Sequence, residues 1–341
     1  MMERPVQRIG LKHGSGGRAM RQLIEEVFLP LGSPVDGIGL AALDDGAALR
    51  VGDRWLVVTT DSHVVHPIFF PGGDIGRLSV SGTVNDLAMM GATEPLALTC
   101  AVVIEEGFAR ADLERIVASM RETALEANAP IVTGDTKVMG RGELDGIVLN
   151  TAGVALTDRI VTDAGLAPGD LLIVTGTVGD HGMAIMSRRH DLRLEGDLRS
   201  DVAPVNGLVR EALRAGGEDV VAMKDPTRGG LAGVLHEMAH KAGVGIVIEE
   251  PKVPVRPEVR AAAEMIGIDP LLVANEGKAV IGVRARSTEK VLAAVRAHPL
   301  GRDAAVVARA VAERPGSVVL DTGLGRRLLA EPEGELLPRI C

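Results

Sequence analysis

Aspartates at five places give this sequence its chemistry. Asp44 and Asp45 precede Gly46, Asp61 follows the apolar run WLVVTT, Asn85-Asp86 lie inside GTVNDLAMMGA, Asp135 follows IVTG, and Asp225 follows VVAMK. A single carboxylate after a strand usually closes a turn or caps a helix. Several on strand ends converge readily on one cleft, and together they need a cation to be tolerated. Mg²⁺ takes oxygen ligands and bridges to phosphates, so it is the natural choice. Asp86 is the most telling of the five, because an ionised side chain amid Val84, Leu87, Met89 and Met90 needs a partner.

Phosphates would in turn need donors. The chain has no G-x-x-x-x-G-K-[ST] motif and is not a P-loop protein. HGSGG (His13, Gly14, Ser15, Gly16, Gly17) offers backbone N–H groups that can nest an anion, followed by a helix N-terminus. Lys137 in GDTK and Arg228 in DPTRGG are plausible counter-charges. One motif is a decoy. His236–His240 spells H-E-x-x-H, which on a helix can bind Zn²⁺, but no third ligand of the extended metalloprotease pattern follows. With the core on the opposite face, both imidazoles are expected to face solvent. Of two cysteines, Cys100 sits in an apolar stretch and reads as a buried structural thiol, whereas Cys341 is the last residue.

The elements that must hold these residues follow from periodicity. Met20, Leu23, Ile24, Val27 and Phe28 recur at helical spacing until Pro30. Residues 55–60 read as a buried strand, Asp74 as the cap of a helix running toward Gly91, and residues 95–104 as a second strand. Asp112 opens a helix with Leu113, Ile116, Val117, Met120 and Leu125 inward, and strands at 131–133 and 147–156 complete a half. After Pro168-Gly169-Asp170 the pattern begins again. Strands are expected at 171–175, 220–223, 245–249, 279–283, 305–310 and 318–320. Helices are expected at 182–189, 205–215, 230–241, 257–266 and 288–297. Alternation with long crossovers points to two α+β or α/β domains joined near residue 165. The last stretch carries Pro332, Gly334 and Pro338 without periodicity and reads as a mobile tail.

Composition narrows the function. At 341 residues the chain exceeds what one core usually serves. One Trp, four Phe and no Tyr leave no platform for stacking bases, and a net charge of -9 argues against nucleic acid. No apolar run reaches a membrane span or a signal peptide, so a cytoplasmic protein is expected, with neither nucleic acid nor membrane as partner.

Together HGSGG, LDDGAA, TTDSHVVHPIFFPGGDIG, GTVNDLAMMGA, IVTGDTKV, DPTRGGL, NEGK and the terminal PRIC resemble the PurM-like ATP-binding superfamily, over essentially the whole chain. That superfamily includes selenophosphate synthetase, aminoimidazole ribonucleotide synthetase and thiamine-phosphate kinase. The TTDS…FFPGGDIG block and the PRIC ending resemble its HypE hydrogenase-maturation family. Selenophosphate synthetase would carry its reactive Cys or selenocysteine in the glycine-rich loop, where this chain has none. The resemblance implies a two-domain α+β fold. A glycine-rich loop and helix (1–30) would precede a dimerising ATP-binding domain (31–160), a C-terminal domain (161–325) and a flexible tail (326–341). It implies ATP and Mg²⁺ as cofactors, with Asp45, Asp61, Asp86 and Asp225 as metal ligands. His13, Gly14, Ser15, Gly16, Gly17, Asp44, Asn85, Asp135 and Arg228 would line the nucleotide. Cys341, Lys137 and Glu276 would be catalytic, with Arg339 offsetting the terminal carboxylate. A HypF-type carbamoyltransferase would load Cys341, ATP-dependent dehydration would leave a thiocyanate, and a HypC–HypD complex would accept the cyanide. Two other readings compete: a kinase or synthetase of the superfamily acting on a free small molecule, and a nucleotide-gated scaffold whose tail docks a partner.

Overall fold

The computed structural model of the chain describes residues 8–14, 16–192, 196–332 and 340–341. Two sheets organise it. The first is built from β1 (Gly37–Ile38), β2 (Ala47–Val51), β3 (Arg54–His63), β6 (Pro95–Glu105), β7 (Ile131–Met139) and β8 (Ile147–Thr157), with a small ribbon of β4 (Phe69–Phe70) and β5 (Gly73–Asp74) between β3 and β6. Its order is β1-β2-β3-β8-β6-β7, and β6 and β7 are parallel. A parallel pair needs a crossover, which α3 (Arg110–Glu126) supplies. Ahead of β1, α1 (Gly17–Leu23) continues into one π-helical turn at Ile24–Phe28.

The second sheet comprises β9 (Leu171–Val174), β10 (Val220–Lys224), β11 (Gly245–Glu249), β12 (Val280–Val283), β13 (Ala305–Val311), β14 (Val318–Asp321) and β15 (Arg326–Leu328). The order is β10-β12-β9-β13-β11-β14-β15. Helices α4 (Asp180–Arg189), α5 (Asn206–Gly216), α6 (Gly230–Ala242), α7 (Pro257–Ile266) and α8 (Thr288–Ala297) surround it. Packing of α6 on one face and of α5 with α8 on the other makes two apolar cores. The mixed α+β fold expected from the sequence is the one observed. Among the described residues no helix is long and apolar enough to cross a membrane.

Helix α2 (Ile75–Met89) joins the halves. Asp74 caps it as expected, accepting from the Arg77 N–H at 2.9 Å. Nearly every residue of α2 is buried. Small residues let it lie close to the first sheet, and a Cβ on Gly82 would sit 2.8 Å from the His63 ring. Its far end belongs to the other half, where Ala88 and Met89 join the core of α5 and α8.

Several expectations are corrected. The run at 55–60 is buried on one face only, so Val57 and Thr59 point inward while Thr60 is exposed. Asp61 and Asp135 do not end strands; they lie within β3 and β7. On α3 the buried positions are Ile116, Met120 and Thr123, whereas Val117 and Leu125 are exposed. Asp112 lies in its first turn, and the cap position is Ala109. The stretch expected to be a free tail is partly seated: β15 extends the second sheet, Leu329 and Ile340 are buried, and Cys341 packs against the first core.

Candidate active site

A row of acids is carried to the seam between the halves by different elements. Asp45 leads into β2, Asp61 lies on β3, Asp86 on α2, and Asp225 follows β10. Asp86 is fully enclosed and hydrogen bonds Thr59 Oγ1 at 2.8 Å through Oδ2. Burial pushes its carboxyl well above the usual range, and Asp225, Asp61 and Asp45 push it further. Burial also raises Asp225 to about 8, with Asp45 and Asp61 adding to the effect against Lys224. Asp44 rises to about 7 through burial, Asp163 and Asp45. Asp61 is a third exposed, and its Oδ2 lies 3.4 Å from His63 Nε2.

This cluster includes a cation absent from the sequence reading. Lys224 Nζ donates to Asp45 Oδ1 at 2.5 Å and lies 3.5 Å from both Asp163 Oδ2 and Glu237 Oε2. Lys241 Nζ holds the same Asp163 oxygen at 2.6 Å. The signal was adjacency, since Lys224 immediately precedes Asp225, but only the fold turns a strand-end lysine inward. Asp45 Oδ2 is buried without a partner. Among the described residues no three side chains already close around one point as a metal site would.

The chain's own end lies beside these acids. Burial raises the Cys341 thiol pKa far above its ordinary value; Glu276 adds to this most among the charged groups, and Arg228 opposes it. Glu276 is itself buried, with Oε1 unpartnered. Its carboxyl is held well above the usual range by burial, then by Asp225, Asp61 and Asp201. Arg228 keeps an exposed surface, and its guanidinium is held charged chiefly by Cys341, then by Asp61, Glu276 and Asp86. Thiol, carboxyl and guanidinium therefore form one group at the acidic seam.

Other expected site residues behave differently. Asn85 is buried, but its amide is engaged by backbone: Nδ2 donates to the Ala203 and Glu276 carbonyls at 3.1 and 3.3 Å, and Oδ1 accepts from Val205 N–H at 2.8 Å. It clamps α2 to the second half and has no donor left over for a nucleotide. Asp135 and Lys137 pair with each other at 3.9 Å on the exposed edge strand β7. Asp61 stands opposite Thr151, Thr151 opposite Cys100, and Cys100 opposite Gly134. At ~4.8 Å per strand, β7 is roughly 14 Å from Asp61, and alternation turns Asp135 and Lys137 to the opposite face. The structure does not bring them to Cys341 of the same chain.

In the glycine-rich segment, His13 Nδ1 turns back on Gly10, and Gly16 and Gly17 have φ of 78° and 74°. A Cβ on Gly17 would meet the Pro332 carbonyl oxygen at 2.1 Å, so the segment lies against the base of the terminal stretch. Ser15 and Arg339 lie outside the described residues. The H-E-x-x-H residues split. His236 is buried and donates from Nε2 to the Leu329 carbonyl at 3.1 Å, a correction to its expected exposure, while His240 faces solvent as expected.

Comparison with known proteins identifies both halves of the fold. Residues 43–157 match the N-terminal domain of AIR synthase related proteins, and residues 167–321 match the C-terminal domain. The chain is 48% identical to carbamoyl dehydratase HypE of Rhizobium leguminosarum bv. viciae, covering 98% of this chain and 95% of that protein. A crystal structure of a HypE–HypF complex superposes with a TM-score of 0.85 at 44% identity, over 91% of this chain and 99% of that one. HypE in complex with ATP gives 0.81 at 42% identity, over 97% and 100%.

Proposed function

The chain belongs to the HypE carbamoyl dehydratase family, and from that premise we propose that it converts a carbamoyl group on its own Cys341 into a cyano group at the expense of ATP. The observation that carries this reading is the seating of the partly buried Cys341 against the first core, within electrostatic reach of Glu276 and Arg228 at the edge of the acidic seam. A free small-molecule substrate is less well supported, because the chain's last residue fills the place beside these groups.

The reaction removes one water from S–C(=O)–NH₂. The carboxamide oxygen takes the γ-phosphoryl group and leaves as phosphate, and both N–H protons are lost as S–C≡N forms. One proton leaves with phosphate and the other goes to a base. Glu276 has the character of that base: buried, unpartnered at Oε1, and with a raised pKa that makes its ionised form a strong acceptor. Arg228 balances negative charge arriving beside it.

The donor set fits Mg²⁺. Asp45, Asp61, Asp86 and Asp225 offer only oxygen, and the buried Asp45 Oδ2 has no partner among the described residues. When bound, the ion would neutralise the triphosphate and these carboxylates together. The glycine-rich segment supplies N–H groups for phosphate near Arg228.

Lys137 and Asp135 enter through a second protomer. Among the described residues no helix lies over the sheet face bearing them, which presents half-buried Val58, Ala101, Val103, Ala152 and Val154. A homodimer pairing these faces would carry Lys137 toward the neighbouring protomer's site, where its charge would serve phosphoryl transfer. A HypF-type carbamoyltransferase loads the thiol, and a HypC–HypD complex accepts the cyanide. Because Cys341 is partly buried when docked and Ile340 beside it is buried, both exchanges require the tail to leave. Replacing Cys341 with Ala should leave folding and Mg-ATP binding unchanged and abolish carbamoyl acceptance. A C341A protein that still yields cyanide for the acceptor overturns the reading.

A further inference from the structure

The group that fixes the end of the tail lies outside the acidic seam. His181, near the start of α4, is fully buried. Its Nε2 lies 2.8 Å from the Ile340 carbonyl oxygen, and its Nδ1 lies 2.7 Å from Ser200 Oγ. A carbonyl can only accept, so Nε2 carries the proton. Burial lowers the pKa of the ring, which keeps it neutral, so Nδ1 must accept from the Ser200 hydroxyl. Ser200 Oγ in turn accepts from the Val202 N–H at 3.0 Å. The Phe70 ring stands perpendicular to the imidazole at 5.5 Å between centroids, so the ring is held in orientation as well as tautomer. The Ile340 side chain meanwhile packs with Met186 and Ala274.

Resting on the function argued above, we propose that His181 is a positioning residue for the dehydration: its Nε2–H holds the Ile340 carbonyl and so seats Cys341 beside Glu276 and Arg228. The contact is one residue from the reacting thiol. The base of the tail is tied separately, through His236 to the Leu329 carbonyl and through the Arg18 N–H to the Pro332 carbonyl at 3.1 Å. Release of Cys341 to a partner therefore requires breaking the distal contacts at Ile340, while the proximal ties remain. Because the bonded atom belongs to the tail, losing the bond changes where Cys341 resides more than it changes the stability of either domain.

The test uses the full chain with His181→Ala, His181→Gln and Ser200→Ala. Gln can place an N–H donor near the position of Nε2. Alkylation of Cys341 by iodoacetamide, followed by peptide mass spectrometry, reports docking, with buried Cys100 as the internal control. His181→Ala should expose Cys341 and raise its alkylation rate about tenfold, the scale of one buried hydrogen bond. Loading by the carbamoyltransferase should be as fast as in the parent chain, while dehydration of the loaded tail slows by a similar factor. His181→Gln should restore much of both, and Ser200→Ala should fall between. Parental alkylation and dehydration rates in His181→Ala overturn the proposal. So does a His181→Gln chain that binds Mg-ATP normally but is as defective as His181→Ala. Should His181→Ala fail to melt cooperatively, the Gln and Ser200 variants decide by the same readings. If the loaded parent chain never dehydrates, the functional reading fails, and alkylation still judges the latch.

Discussion

At the residue scale the site is a problem of uncompensated charge. Asp225 moves from 3.8 to about 8 on folding, chiefly through burial and then Asp45. The folded chain thus keeps a proton that the unfolded chain loses above about pH 4, so stability falls as pH rises until about pH 8. Asp44, raised to about 7, acts in the same sense up to that pH. His63, His181 and His236, whose pKa values are lowered from 6.5 by burial, act oppositely below about pH 6.5. The clean window is therefore pH 6.5 to 8. There the metal-free protein should lose melting temperature with rising pH, Mg²⁺ should reduce that loss, and Asp225→Asn should flatten it. Parallel pH profiles for Asp225→Asn and the parent chain would contradict this account. Asp86→Asn should likewise keep the fold and bind Mg-ATP far more weakly by calorimetry. The isolated carboxylate among apolar neighbours made Asp86 legible in sequence. Lys224 was not, because nothing local distinguishes an inward lysine from a solvated one.

At the element scale, periodicity located α7 and α8 to the residue and most strands to within one or two, since alternation and helical spacing are local properties. It did not tell which faces are covered. Val117 and Leu125 look like core on a helical wheel, yet they face outward on α3, where no second layer lies among the described residues. The H-E-x-x-H helix shows the same limit. On α6 the first histidine turns inward to hold Leu329 and the second faces water, so the motif's spacing does not converge on a metal. His236→Ala should cost about 1 kcal/mol of stability in thermal denaturation. His240→Ala should stay within ~0.5 kcal/mol, and neither should alter metal content. Stoichiometric zinc in the parent chain, lost in these variants, would contradict the assignment.

At the scale of the whole molecule, the two halves, the acidic seam and the terminal thiol were legible because each leaves a local mark. The relation of Lys137 to the site was not, because it depends on which face of β7 a residue takes and on what covers that face. The proposed homodimer makes a quantitative expectation. Glu276→Gln and Lys137→Ala each disable dehydration alone, but mixed and re-equilibrated 1:1 they form heterodimers in which one site holds both native residues. With random pairing, about a quarter of sites regain function. If Lys137 instead served its own chain, no site in the mixture would be restored.

The central claim is that the buried end of the chain is the substrate and Glu276 the group that takes its proton. Intact-mass spectrometry of the protein after carbamoylation, with and without Mg-ATP, tests it directly. The parent chain should gain one carbamoyl group on Cys341 and, when Mg-ATP is added, lose the mass of one water. Glu276→Gln should accept the carbamoyl group and bind Mg-ATP, then stall before the water is lost, slower by ~10²–10⁴-fold. Dehydration of the loaded Glu276→Gln tail at the parental rate, or no loss of water from the loaded parent chain, would contradict the account.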